Sequence, residues 1–149
     1  MNDTTIILGV IGSDCHSVGN SILDAFLTNN GFHVVNLGVM VSQEEFINAA
    51  IEADAAAILV SSLYGHAELD CVGFRERCIE RGLEHILLYI GGNLVVGKLS
   101  REAIVQKFTD LGFDRVFLAG DDLDSAAANL NADIEQLKRR LSDAVHLEL

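Results

Sequence analysis

The sequence predicts an α/β domain of the doubly wound kind, with a five-stranded parallel sheet, and three observations carry that expectation. Five short apolar runs recur at intervals of about 25–30 residues along a chain of 149. Stretches with helical periodicity lie between them. Three glycines (Gly31, Gly82 and Gly112) each follow a helical stretch and precede an apolar residue, the pattern of a left-handed helix terminus. Strand–helix alternation repeated in this way implies parallel strands joined by helical crossovers, with helices on both faces.

Residues 5–11, 32–37, 55–61, 86–90 and 115–119 read as the strands. Most are continuous runs of Val, Ile and Leu, as strands buried on both faces are. The first helix is read from Val18, Ile22 and Phe26, which recur every four residues. Ser42 followed by Glu45 is a capping box that opens the second, whose apolar face pairs Phe46 with Ala50 and Ile47 with Ile51. Cys71, Phe74 and Cys78 share one helix face and read as core. Ile104, Phe108 and Leu111 mark the next helix. Ala127, Leu130, Ile134, Leu137 and Leu141 mark the last one. Its start carries Asp121, Asp122 and Asp124 and its end Lys138, Arg139 and Arg140, both favourable to the helix dipole. The expectation is a single Rossmann- or flavodoxin-like domain over residues 1–149, with its core in about residues 4–141.

Composition narrows the function classes. Half of the residues are apolar and 21% are charged, which excludes a disordered chain. Twenty-two acidic residues against 10 basic give a formal net charge of −12. A nucleic-acid partner is therefore not expected, because phosphate backbones demand clustered Lys and Arg. Three cysteines without a CxxC spacing argue against a disulfide framework and for a reducing compartment. No basic segment precedes the first apolar run, and no apolar run approaches the roughly 20 residues of a membrane helix. A cytoplasmic location and no membrane partner are expected.

In doubly wound sheets ligands bind beyond the carboxyl ends of the strands, so the loops after strands one, three and four carry the functional reading. The first is Gly12-Ser13-Asp14-Cys15-His16-Ser17-Val18-Gly19-Asn20. A carboxylate bonded to one imidazole nitrogen fixes the tautomer and leaves the other nitrogen basic. Asp14 and His16 at this spacing therefore suit a metal ligand or a general base; equally, His16 could cap the first helix or face solvent. The second loop is Ser61-Ser62-Leu63-Tyr64-Gly65-His66, and the third is Gly91-Gly92-Asn93-Leu94-Val95-Val96-Gly97-Lys98. Gly91-Gly92 either makes a plain turn or clears side chains where something approaches the backbone. Leu94, Val95 and Val96 are unusually apolar for a solvent loop and suit a pocket wall. The same loops exclude rivals. GxGxxG is absent at the first turn, Gly97-Lys98-Leu99 lacks the hydroxyl of a P-loop, and a receiver domain's phospho-acceptor Asp is replaced by Ser61-Ser62. Asp14, Cys15, His16 and His66 have no recognisable zinc spacing, and Cys15 beside His16 is a weak case for a nucleophile.

Together, Asp14-x-His16-x-x-Gly19, Ser61-x-Leu63 and Gly91-Gly92 form an ordered pattern at the tips of strands one, three and four. This pattern resembles the cobalamin-binding domain of the family that binds its cofactor with the cofactor's own base detached. The similarity extends over residues 9–20, 61–65 and 91–98 and covers about residues 4–118. With the chain length included, it is similar to the small subunits of adenosylcobalamin-dependent glutamate mutase (methylaspartate mutase).

The resemblance implies that His16 replaces dimethylbenzimidazole as the lower axial ligand of cobalt, with Asp14 as its partner. The displaced nucleotide tail would enter a slot lined by Ser61 and Leu63, with Ser62 among the cofactor-binding residues and Gly91 and Gly92 leaving the tail room. Ser13, Cys15, Ser17, Gly19, Asn93, Leu94, Val95, Val96 and Gly97 would contact the tail or the corrin by matching position. In the family, cobalt–carbon homolysis yields a deoxyadenosyl radical that takes a hydrogen from L-glutamate, and rearrangement gives threo-3-methylaspartate. Substrate contacts come from a separate large barrel subunit, so this chain would be one subunit of an isomerase, inactive alone. The chain departs from the family after strand five. Ala119-Gly120-Asp121-Asp122 stands where a Pro-containing loop is usual, and the chain has no proline. Other readings are a corrinoid carrier for methyl transfer, which usually has a helical bundle before this domain, a cobalamin-binding regulatory module, and an α/β interaction domain with a structural His16 loop.

Overall fold

A computed structural model of the chain describes residues 4–13, 16–62, 65–94, 97–118 and 120–148, with side chains described as far as Asp143. Five strands form one parallel sheet: β1 (Thr5–Val10), β2 (His33–Asn36), β3 (Ala57–Ser62), β4 (Leu87–Gly92) and β5 (Arg115–Leu118), in the order β2-β1-β3-β4-β5. Six helices connect and flank them: α1 (Val18–Asn29), α2 (Gln43–Ala53), α3 (Ala67–Cys71), α4 (Phe74–Glu80), α5 (Arg101–Asp110) and α6 (Leu123–Glu148). Right-handed crossovers send α1 to one face and α2 to α5 to the other, because the chain moves one way from β1 to β2 and the other way from β3 onward, and α6 returns to the face of α1.

Period-two alternation along the strands sorts the apolar side chains into two layers. Ile7, Ile58, Leu88 and Val116 pack against Phe46 and Ile47 of α2, Phe74 of α4 and Phe108 of α5. Ile6, Leu8, Leu59 and Tyr89 pack against Leu27 of α1 and against Leu130, Ile134 and Leu137 of α6. The sheet is thus buried on both faces, as the unbroken apolar runs require. No helix among the described residues is long and apolar enough to cross a membrane.

The expected caps form. Ser42 Oγ accepts the Glu45 N–H at 3.1 Å while Glu45 returns a carboxylate oxygen to the Ser42 N–H at 3.1 Å. Gly31, Gly82 and Gly112 all have positive φ, and a Cβ on Gly112 would lie 2.4 Å from the Arg75 Cβ. Three expectations are corrected. β4 continues through Gly91 and Gly92, because their backbones pair with Ser61 and Ser62 on one side and with Phe117 and Leu118 on the other. The face shared by Cys71, Phe74 and Cys78 is divided by Val72 and Gly73, with Gly73 at φ 78°, into α3 and α4. All three residues are still fully buried, and burial pushes the Cys71 thiol up to about 12 and the Cys78 thiol up to about 11. They are core thiols, held protonated. Finally, the apolar periodicity that marks α1 is not all core: Val18 and Ile22 are 74% and 57% exposed, while Leu27 is buried and Leu23 and Phe26 pack beside it.

α6 is anchored by one polar contact in an otherwise apolar layer. Asp133 accepts the Tyr89 hydroxyl from β4 and both the Nε (2.6 Å) and Nη2 (3.0 Å) of Arg115 from β5. The Arg115 hydrogen bonds hold the Asp133 carboxyl below the usual carboxylate range, and burial pushes the Tyr89 hydroxyl up. Asp133→Asn should lower the unfolding free energy by about 1–3 kcal/mol near neutral pH, the cost of weakening a charged hydrogen-bond network. Because the folded carboxyl is depressed, this advantage of the wild type is full above about pH 4 and fades as pH falls below it. Denaturant unfolding of both proteins across pH 3–7 measures it; a gap that stays constant with pH would contradict the assignment.

Candidate functional site

A cavity of about 260 Å³ opens at the carboxyl ends of β3, β4 and β5, beneath α1 and α6. Its floor is the sheet: Leu59, Tyr89 and Phe117 present their side chains there, with the Tyr89 and Phe117 rings 5.7 Å apart. α1 supplies one wall through Asn20, Ile22, Leu23 and Phe26, and α6 the other through Leu123, Ala126, Ala127 and Leu130. Two alanines on the α6 wall keep that helix from filling the space it borders. Where β4 reaches the cavity its sequence is Gly91-Gly92, so no side chain projects from the strand tip.

The two glycines do different things. Gly91 has ordinary backbone geometry, and a Cβ there would meet only Phe117, at 3.5 Å, an ordinary contact. Its bare position keeps the cavity open. Gly92 has φ 121°, which a side chain rarely tolerates. Ser61 and His16 lie along the same cavity, with Gly19 beside His16. Ser17 precedes α1 without a side-chain cap bond, and no acidic residue lies in the first turn of α1. That helix start is therefore weakly held by local interactions.

Asn20 sits 4% exposed in the cavity wall, and its orientation follows from its partners. Asn36 Oδ1 accepts the Gly38 N–H at 2.9 Å, so Asn36 Nδ2 must be the group that donates to Asp24 Oδ2, at 2.9 Å. Asn20 can then meet Asn36 Oδ1 only through its own Nδ2, at 2.8 Å. Among the described residues Asn20 Oδ1 has no donor, a buried acceptor at the wall of an apolar cavity.

Of the residues singled out from the sequence, His16, Gly19, Ser61, Gly91 and Gly92 converge on this cavity. Ser13 and Ser17 are exposed at the preceding turn. Ser62 takes the opposite face of β3, fully buried, and its hydroxyl has no partner among the described residues. Leu94 does not line the cavity: it is part of the core layer under α2, α4 and α5. Asn93 and Gly97 are exposed, and the Asn93 carbonyl accepts the Gly65 N–H at 3.2 Å. Asp14, Cys15, Leu63, Val95 and Val96 lie outside the described residues. Sequence reasoning missed the contributions of Tyr89, Phe117 and α6. The signal available was α1 itself: Ile22, Leu23, Phe26 and Leu27 spread over more of the helix than one core face needs. Among the described residues, no group of three His, Cys, Asp or Glu gathers as a metal cage.

Residues 4–128 match the B12 binding domain family. The chain is 57% identical over 136 residues to the glutamate mutase sigma subunit of Escherichia coli O157:H7, spanning 91% of each protein. It is 57% identical over 134 residues to the glutamate mutase sigma subunit of Clostridium tetani, spanning 90% of this chain and 98% of that one. In fold it resembles the methanol:cobalamin methyltransferase complex of Methanosarcina barkeri, with a TM-score of 0.68 at 24% identity over 88% of this chain and 46% of the other.

The two glycines can be separated by substitution. Gly92→Val should cost about 1–3 kcal/mol of stability through backbone strain, whereas Gly91→Val should stay within about 1 kcal/mol of the wild type. Urea midpoints of the two variants check this, and equal losses would contradict the geometry.

Proposed function

We infer the function of this chain from the family to which it belongs, the glutamate mutase sigma subunits with their B12 binding domain. It is the cobalamin-binding subunit of an isomerase whose activity requires a second subunit. The observation that carries the site assignment is the cavity itself. An apolar slot runs under α1 and α6 and ends at two glycines, with His16 and Ser61 along it. Its size and apolar lining suit a flat, weakly polar group such as dimethylbenzimidazole.

His16 would hold the cobalt through its imidazole, and Asp14 of the same loop would fix the tautomer of that ring. Its place at the cavity supports this, because a tail buried in the slot brings the corrin over the strand tips where His16 stands. Ser61 and Gly19 line the tail's path, and Gly91 and Gly92 leave it clearance. By their positions in the sequence, Ser13, Cys15, Ser17, Leu63, Asn93, Val95, Val96 and Gly97 would edge the tail or the corrin. When bound, the cofactor supplies cobalt–carbon homolysis and the deoxyadenosyl radical that initiates rearrangement of L-glutamate to threo-3-methylaspartate. This chain's own part is to hold that group, exclude water from the tail, and set the axial ligand. The partner is a large barrel subunit carrying the substrate site, and the pair works in the cytoplasm.

Electron paramagnetic resonance of the cob(II)alamin complex tests the axial ligand. Labelling histidine with nitrogen-15 should change the hyperfine splitting, and His16→Ala should remove that nitrogen coupling and weaken binding. An unchanged splitting on labelling would rule His16 out. Gly91→Val should weaken cobalamin affinity by at least about tenfold, since a branched side chain would occupy the slot. Adding a glutamate mutase large subunit should yield methylaspartate, and formation of methylaspartate by this chain alone would contradict the two-subunit reading.

A further inference from the structure

We propose that Arg101 and Asp121 form a strap between two strand-tip loops that sets the width of the cobalamin slot, which makes Arg101 a positioning residue although it does not line the cavity. The proposal rests on the cavity assignment made above. Arg101 opens α5, directly after the loop leaving β4, and Asp121 lies in the loop leaving β5, on the cavity wall. The guanidinium takes both carboxylate oxygens, Nη1 to Oδ1 at 2.8 Å and Nη2 to Oδ2 at 2.7 Å. Asp121 Oδ2 also accepts the Leu118 N–H at 2.8 Å, and the Asp121 N–H donates to the Leu118 carbonyl at 3.0 Å. The turn between Leu118 and Asp121 is thereby closed twice, and the ion pair ties it to the neighbouring loop. The Arg101 hydrogen bonds hold the Asp121 carboxyl below its ordinary range, as expected of a paired carboxylate.

The need for such a tie follows from composition. Gly120 sits at φ 92° inside this turn, and the chain has no proline to stiffen it. Leu118, Gly120, Asp121 and Leu123 nonetheless line the same cavity as His16 and Gly19. A loop of that composition left free would sample many widths, and binding would bear the cost of ordering it. The strap orders it beforehand. Asp122 continues the arrangement by accepting the Asp124 N–H at 3.2 Å and the Ser125 hydroxyl at 3.1 Å, which fixes where α6 begins.

Adenosylcobalamin titrations of the full chain test this, using the wild type, Arg101→Ala, Arg101→Lys, Asp121→Asn and the double variant Arg101→Ala/Asp121→Asn. Arg101→Ala and Asp121→Asn should each weaken binding by about three- to fivefold, the weight of a partly exposed bidentate pair. Arg101→Lys should recover part of the loss, since an ammonium makes only one point contact. The double variant should bind no more weakly than either single one, because both remove the same strap. Without ligand, amide exchange at Leu118 and Gly120 should quicken in Arg101→Ala while the global unfolding midpoint is unchanged. Wild-type affinity in Arg101→Ala, or additive losses in the double variant, would overturn the strap. A wild type that failed to bind adenosylcobalamin would overturn the cavity assignment and the strap with it.

Discussion

Everything functional in this molecule depends on one topological constraint: the parallel sheet changes winding direction between β1 and β3. From β1 the chain crosses to β2 on one side, and all later strands add on the other side. Crossovers of one hand then place α1 on the face later covered by α6, with α2 to α5 on the opposite face. The loops after β1 and β3 must diverge over the gap between the two strands, and nothing in the sheet covers that gap. A cavity between α1, α6 and the strand tips is the consequence, and the glycines of β4 keep it open.

That opening carries a cost that packing elsewhere offsets. Protein interiors are close-packed, and an enclosed void of 260 Å³ would cost on the order of 6 kcal/mol at about 24 cal/mol per Å³. Here the void opens at the strand tips, and its walls are held by contacts outside it. Asp133 fastens α6 to Tyr89 and Arg115, and Arg75 fastens the opposite layer through the Gly112 and Ile86 carbonyls and Asp114. Asp133 thus fixes α6 against β4 and β5, the strands whose tips border the cavity. The start of α1 is weakly held, with Val18 and Ile22 exposed and no side-chain cap bond from Ser17.

The strands were legible because burial on both faces leaves unbroken runs of Val, Ile and Leu, and helix ends were legible because left-handed termini select glycine. The continuation of β4 through Gly91 and Gly92 was not, since a ladder uses backbone groups that no side chain advertises. Within the site, His16, Gly19, Ser61 and the glycine pair could be read because strand-tip loops are local in sequence. Phe117, Asp121 and Ala127 could not be, for they join the cavity only through the packing of β5 and α6 against distant elements. Leu94 shows the converse error: an apolar residue in a binding loop turned inward to the core, because a loop that follows a buried strand can bury a side chain of its own.

The central claim is that the cavity between α1, α6 and the tips of β3, β4 and β5 receives the cofactor's tail. Hydrogen exchange mapped along the whole chain, with and without cobalamin, tests it most directly. The account predicts slower exchange on binding through residues 16–27, at Gly91 and Gly92, and through residues 120–130, with α2 and α4 unchanged. Protection confined to the layer of α2, α4 and α5, with α1 and α6 unaffected, would contradict it.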